Sequence, residues 1–178
     1  MDVRGWIGIV GTRRPADRTR ALAARAARWA VEWGFGVVSG GAAGVDQAAL
    51  EAAGPLGWAV LPWPGFRRRS WPGRVTVYDP VHHPEWAVSV DRHHPAPGRL
   101  DPVARRLLAR NYGIVAACSG LMAFPRPDGG GTAQAVRVAL ALGRPVLVLP
   151  DPVPEGAEEQ VAWFFEWLER EMKGVRRA

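Results

Sequence analysis

Three short glycine-rich segments with polar residues are the parts of this chain most suited to binding a ligand. Without a Cβ the backbone can approach a ligand closely, and the first N–H groups of a following helix point at a bound anion. Such segments are typical of phosphate and nucleotide sites. The three segments are Gly11-Thr12-Arg13, Ser39-Gly40-Gly41-Ala42-Ala43-Gly44-Val45-Asp46, and Gly129-Gly130-Gly131-Thr132.

Each segment alone is also compatible with an ordinary turn between a strand and a helix. The second lacks the Gly-x-Gly-x-x-Gly spacing, and no Gly-Lys-Ser or Gly-Lys-Thr sequence occurs. Asp46 either holds a ribose hydroxyl, orders its loop or stabilises the helix dipole, and Arg13 either meets an anion or stays solvated. We add Arg110 and Asn111 to the candidate site, because polar residues near the end of an apolar helix can bond a ligand or a glycine loop.

The elements that position these segments alternate between strand and helix. Short apolar runs predict buried strands at 6–10, 35–40, 58–61, 121–124 and 144–150, and the segments between them carry helix caps such as Gly34, Asp101 and Gly143. We therefore predict an α/β fold, a Rossmann-like, doubly wound, mostly parallel sheet with helices on both faces. Ligands bind such sheets at the carboxyl ends of the strands, where the glycine segments fall. An amphipathic helix over 155–173 is expected to pack on the sheet or against a partner.

Residues 62–98 differ from the rest because they are rich in Pro, Trp, Arg and His, and only 74–78 resembles a strand. We interpret them as an insertion or lid of one domain over 1–178. Aromatic rings that stack bases, beside arginines that neutralise phosphates, are typical of single-stranded nucleic-acid binding. The alternative is a surface loop whose tryptophans fold back as a small satellite core. The candidate nucleic-acid residues are Trp63, Arg67, Arg68, Arg69, Trp71 and Arg74.

The histidine pairs of this region raise the question of a metal. Adjacent histidines project apart in extended chain, no cysteine accompanies them, and prolines follow each pair directly, so we predict no metal site. We assign no role to His82, His83, His93 and His94.

Composition points to a basic protein in a reducing compartment. The net charge is +6 and the pI about 10.8, although arginine supplies all the positive charge except Lys173 and the segment 151–171 is acidic. A basic remainder favours a polyanionic partner. One cysteine, Cys118, permits no internal disulfide, and no apolar run approaches the roughly 20 residues of a membrane span. Without a signal-like start we expect a cytoplasmic protein and an inert, buried Cys118.

The segments GIVGTRR, VVSGGAAGVDQAALEAAG, LLARN and GGGTAQAVRVALALGRPVLVLP occur in an order that resembles the SLOG superfamily. That group includes DNA-processing protein A (DprA), the LOG phosphoribohydrolases and the molybdenum-cofactor carrier proteins. The DprA core is the most similar in detail, with a G-[ST]-R after the first strand, S-G-x-A-x-G-[IV]-D after the second, and an R-N pair before a later strand. The resemblance covers somewhat more than half of the chain.

The resemblance implies a non-catalytic protein that binds a nucleotide or single-stranded DNA in DNA processing or recombination, and that forms a homodimer. No cofactor is implied beyond a bound nucleotide or phosphate. Two alternatives stay open: a LOG-like nucleotide N-glycosidic hydrolase with altered catalysis, and a carrier or sensor of a nucleotide-derived molecule. LOG enzymes have a glutamate where this chain has Ala135, and DprA has S-G-S where this chain has Gly-Gly-Gly-Thr. The missing carboxylate argues against cleavage.

Overall fold

The computed structural model describes residues 2–175 of the chain. Within that range six strands form one sheet in the order β4-β3-β2-β1-β5-β6, and every pair of neighbours is parallel. The predicted α/β fold class is confirmed. The strands are β1 Trp6–Gly11, β2 Gly36–Ser39, β3 Gly57–Leu61, β4 Arg74–Val77, β5 Gly120–Phe124 and β6 Val146–Val148. The helices are α1 Asp17–Glu32, α2 Val45–Ala53, α3 Pro84–His93, α4 Pro102–Ala117, α5 Gly130–Ala141 and α6 Ala157–Val175.

Side chains alternate across the sheet and build one core on each face. On one face, Ile7 and Ile9 of β1 lie beneath α1, α2 and α6. On the other, Val10 of β1 and Ala123 of β5 lie beneath α3, α4 and α5. Both faces are covered, which explains why these strands are continuous apolar runs rather than alternating ones.

The strand order reverses between β1 and β5, the fourth and fifth strands of the sheet. Chain connections leave this point in opposite directions, so the loops after β1 and β5 separate at the carboxyl edge and leave a crevice. The first glycine segment lies at the end of β1, the third lies at the start of α5 after the β5 loop, and the second follows β2, the next strand along. The topology therefore gathers all three at one edge.

Most local signals gave the right boundaries. The α4 helix starts at the predicted cap, where the Asp101 carboxylate accepts a bond of 2.8 Å from the Ala104 N–H. The helix before β5 runs through residues 113–117, whose sequence alone could pass for a strand, and ends at Ala117. The last helix packs Val161, Phe164 and Phe165 into the core, so its apolar face meets the sheet side of this same chain.

The interpretation of 62–98 as an insertion or lid is wrong for much of that segment. Residues 74–77 extend the sheet as β4, paired in parallel with β3. The unpredicted helix α3 buries Trp86 and Val90 against the core of α4 and α5. These elements are layers of the sandwich, and only 62–73 forms an excursion over it.

Two other expectations need correction. The final strand is an edge strand of three residues with Val148 42% exposed, not a fully buried one. The third glycine segment is not a turn between a strand and a helix but the N-cap and first turn of α5, which begins at Gly130.

Candidate functional site

A cavity of about 820 Å³ opens at the carboxyl edge of the sheet, between the loops after β1 and β5 and the helices α4 and α5. Its size lies in the range of small-ligand sites. Many predicted site residues line it: Gly11, Thr12, Arg13, Asp46, Arg110, Asn111, Gly129, Gly130, Gly131 and Thr132. The structure thus brings residues from distant parts of the chain to the walls of one cavity.

Asp46 connects the first two glycine segments. One carboxylate oxygen accepts the Gly11 N–H at 3.3 Å, and the other accepts the N–H groups of Gly40 at 3.2 Å and Ala42 at 3.4 Å. Burial raises the pKa of this carboxyl above its usual value, against the opposing effect of the nearby Arg110 guanidinium and of the backbone bonds. Asp46 orders the loops, and both of its oxygens are engaged in doing so.

The remaining residues of the second segment support the cavity from behind. Ser39 is fully buried at the end of β2, and its hydroxyl donates to the Ile9 carbonyl. Gly44 has a φ of +79°, and a Cβ there would lie 2.5 Å from the Thr12 carbonyl oxygen. Only glycine allows these two loops to approach so closely. None of Ser39, Gly40, Gly41 and Gly44 is among the residues that line the described cavity.

Arg110 lies behind the same loops with 6% of its surface exposed. Its guanidinium donates to the Gly40 carbonyl and, at 3.4 Å, to the Val60 carbonyl, and it stacks 5.7 Å from the Phe66 ring. Burial lowers the pKa of Arg110 to about 10, although the neighbouring Asp46 acts to raise it. The arginine remains charged at neutral pH and compensates the buried carboxyl group.

Asn111 contacts the start of α5. Its side-chain NH₂ group donates to the Gly131 backbone carbonyl at 3.2 Å and to the Gln134 side-chain oxygen at 3.1 Å, while its own side-chain oxygen accepts from Arg110 at 3.2 Å. The pair 110–111 therefore ties the second glycine segment to the first turn of α5. Gln134 is 1% exposed, lines the cavity and was not predicted from the sequence.

Positive charge dominates the cavity walls. Arg13 and Arg14 extend from the β1 loop, and Arg126 extends from the β5 loop, where it pairs with Asp128. The first turn of α5 lines the same space, and the positive end of the helix dipole there favours an anion. Asp151 also lines the cavity, and one of its oxygens accepts the Ala16 N–H at 3.0 Å. The arrangement suits a phosphate-bearing ligand.

The tryptophans of the excursion fold back, as the satellite-core alternative predicts. Phe66 is buried in a small cluster with Ala42, Leu50, Ala59 and Leu61, and Trp63 and Trp71 pack against it. Trp63 meets Phe66 edge-on with ring centroids 5.1 Å apart. The indole N–H of Trp71 is buried without a partner among the described atoms. Two half-buried rings are thus anchored to the fold rather than free to stack bases.

The candidate arginines at 67–69 and 74 separate into two groups. Arg67 donates to Gln47 at 3.0 Å and Arg69 pairs with Glu51, both on α2, and Arg69 also stacks 5.0 Å from the Trp71 ring. Arg67 and Arg68 both have left-handed backbone, with φ of 57° and 49°. Arg74 is the first residue of β4 and lies 3.8 Å from the Trp58 ring. The start of a parallel strand lies at the edge opposite the cavity, so Arg74 is separated from the other candidates.

The histidines have different surroundings. The His83 ring stacks 4.2 Å from Trp86, and His82 contacts the Asp79 carboxylate at 3.0 Å. His94 lines the cavity and accepts the Ala96 N–H at 3.1 Å. In the part of the chain that the structure describes, no three His, Cys, Asp or Glu side chains are grouped to hold a metal ion.

Comparison with known proteins shows which families and folds this chain is similar to. Residues 2–62 match the family model described as DNA recombination-mediator protein A, which covers about a third of the chain. The matched segment contains the first two glycine segments and Asp46. The resemblance to the SLOG superfamily is confirmed. No curated protein shows significant similarity to the chain.

Solved structures share the fold at low sequence identity. DNA processing protein A from Helicobacter pylori, reported for its single-stranded DNA binding mode, is 21% identical with a TM-score of 0.66, covering 97% of this chain and 82% of that chain. DprA from Streptococcus pneumoniae is 20% identical with a TM-score of 0.60, covering 91% of this chain but only 56% of its own. The molybdenum cofactor binding protein from Rippkaea orientalis is 19% identical with a TM-score of 0.60, covering 93% and 85%.

Among residues 2–175 the helices are too short or too polar to span a bilayer.

Proposed function

We propose that this chain is a non-catalytic DNA-processing protein that binds single-stranded DNA and holds a nucleotide phosphate in the cavity between β1 and β5. The observation that carries the proposal is the convergence of Arg13, Arg14 and Arg126 with the first turn of α5 on one cavity. The match of residues 2–62 to DNA recombination-mediator protein A and the shared fold with the DprA structures support it.

The excursion extends the binding surface beyond the cavity. Ala42 and Leu107 line the cavity and also belong to or pack on the cluster that anchors Trp63 and Trp71. The arginines 67–69 are exposed on the same excursion, where Arg67 and Arg69 contact Gln47 and Glu51 of α2. A strand whose phosphate occupies the cavity would pass these arginines, and a DNA phosphate would compete with Gln47 and Glu51 for them.

Oligonucleotide binding at several salt concentrations tests the proposal. A fluorescently labelled oligothymidylate should bind the wild type with an affinity that falls as salt rises. In a plot of the logarithm of the binding constant against the logarithm of the salt concentration, each phosphate contact should contribute about −0.7 to the slope. The variants Arg13→Ala/Arg14→Ala and Arg67→Ala/Arg68→Ala/Arg69→Ala should each weaken binding and flatten the slope. Arg28→Ala, an exposed change on α1, is the control. Absence of binding at low salt would refute the proposal.

A second candidate, a carrier or sensor of a nucleotide-derived molecule, has one observation in its favour. The cavity has the volume of a small-molecule site, and a molybdenum cofactor binding protein shares the fold. Mass spectrometry of the supernatant of freshly purified, heat-denatured protein tests it. A stoichiometric small molecule together with no oligonucleotide binding would favour the carrier.

The hydrolase alternative is weaker. Ala135 lies on the cavity wall where the resemblance to LOG enzymes places a glutamate, and Asp46 uses both oxygens on backbone N–H groups. Release of free base from nucleoside monophosphates would restore it. Self-association, which the resemblance implies, is a separate proposal that light scattering of the purified protein tests.

A further inference from the structure

We propose that Gln134 is a recognition residue whose side-chain N–H donates to a phosphoryl oxygen of the ligand in the cavity. The inference rests on the proposed function for the identity of the ligand, but it concerns a residue that neither the sequence motifs nor the comparisons single out. Its basis is the direction of a chain of hydrogen bonds that ends at the cavity without an acceptor.

The direction of the chain is set by its first member. The Nε–H of Arg110 can only donate, so the atom of Asn111 at 3.2 Å must be its oxygen. The Asn111 amide nitrogen then faces the Gly131 carbonyl, an obligate acceptor, at 3.2 Å. The same nitrogen lies 3.1 Å from the Gln134 side chain, which must present its oxygen there. Each orientation is forced by its neighbour.

Gln134 consequently turns its NH₂ group away from Asn111. That nitrogen is buried and has no hydrogen-bond partner among the described residues. A buried donor without an acceptor costs stability, and such groups in native proteins call for an explanation. Flipping the amide would not remove the cost, because it would set two NH₂ groups against each other.

The setting of the unpaired donor indicates what it binds. Gln134 lies just over one turn into α5, a helix of 12 residues, and helical side chains lean toward the N-terminus. Gly130, Gly131 and Thr132 of the first turn line the same cavity, with Arg126 on the preceding loop. Both acidic side chains on the wall, Asp46 and Asp151, already accept backbone N–H groups. An anionic oxygen is the acceptor that complements this set of donors.

The variant Gln134→Met keeps the shape of the side chain and removes the amide. It should lower affinity for inorganic phosphate and for the labelled oligothymidylate by about 10-fold to 100-fold, the usual loss for a hydrogen bond to a charged group. Its melting temperature without ligand does not report on this role, because the change removes both the unpaired donor and the acceptor of the Asn111 bond. Gln134→Glu keeps the acceptor for Asn111 and should abolish phosphate binding by charge repulsion. Gln160→Met, an exposed change on α6, is the control.

Thermal melting with and without phosphate, beside the oligonucleotide titration, separates the outcomes. A wild type that responds to phosphate but not to DNA, with the response lost in Gln134→Met, supports the role of Gln134 and refutes the DNA-binding proposal. Wild-type affinity for phosphate in Gln134→Met overturns the role of Gln134 whatever the protein binds. A wild type that responds to neither probe overturns both proposals.

Discussion

Replacing Asp46 with alanine is the most informative test of how the site is built. The change removes the acceptor of three backbone N–H groups, those of Gly11, Gly40 and Ala42. It also leaves the buried Arg110 without the carboxyl group that compensates its charge. Removing one partner of a buried charged pair usually costs about 3–5 kcal/mol, and each buried N–H left unpaired costs about 1–3 kcal/mol.

We expect less than the sum of these costs, about 3–5 kcal/mol in the free energy of unfolding. The three bonds are 3.2–3.4 Å long, so each is weaker than average, and water can enter the space that the carboxylate leaves. For a chain of this length about 2–4 °C of melting temperature corresponds to 1 kcal/mol, which gives a decrease of roughly 6–20 °C.

Urea unfolding followed by tryptophan fluorescence measures the loss. Asp17→Ala is the control, because Asp17 is an exposed carboxylate in the first turn of α1, where the helix dipole supplies only about 0.3–1 kcal/mol. The double variant Asp46→Ala/Arg110→Met should lose less stability than the sum of the single variants, since neither charge is then left alone. A loss below about 1 kcal/mol for Asp46→Ala, or full additivity in the double variant, would refute this account of the loops.

Three further predictions concern other parts of the fold. Gly113→Ala should destabilise the protein although alanine favours helices, because the new methyl would overlap the Trp86 ring, whereas Gly98→Ala meets open space; equal melting temperatures would contradict the packing. Gly44→Ala should lower both the melting temperature and phosphate binding, since its φ of +79° and the Thr12 carbonyl exclude a side chain, and unchanged binding would separate this loop from the site. Burial raises the pKa of the Cys118 thiol to about 11, above the ordinary thiol value of 9.0. The stability that the buried neutral thiol contributes is therefore full below pH 9 and is lost as the pH rises through 11. The free energy of unfolding should consequently fall less between about pH 8 and 10.5 in Cys118→Ala than in the wild type.

Most of the fold could be predicted because its determinants are local. Apolar runs with no alternation, glycines after the helices and the Asp101 cap each specify a boundary within a few residues. The α3 helix escaped prediction because its apolar face consists of little more than Trp86 and Val90, set among prolines and histidines. Its stability comes from packing on α4 and from the ring stack with His83, and neither contact is visible in a local pattern.

The site divides in the same way. The glycine segments can be recognised from their composition. Their position at one edge of the sheet follows from the parallel arrangement of the strands. Whether the tryptophans at 63 and 71 are exposed for binding or packed on the fold could not be predicted. A ring that stacks a base and a ring that covers Leu61 and Phe66 have the same sequence pattern. Nor could the cavity arginines 14 and 126 be told from solvated ones, since charge in a loop carries no direction until the loop is folded.

The dipeptide at 110–111 connects the two walls of the cavity, although both of its side chains are almost fully buried. Successive residues of a helix point about 100° apart, so one side chain of the pair reaches the β2 loop and the other reaches α5. Arg110 fastens the Gly40 carbonyl, Asn111 fastens the Gly131 carbonyl, and the bond between the two side chains makes these anchors a single unit. A helix that shifts along its axis would then move both cavity walls together. The same connection sets the orientation of the Gln134 amide, so the direction of its unpaired donor depends on the buried charge of Arg110.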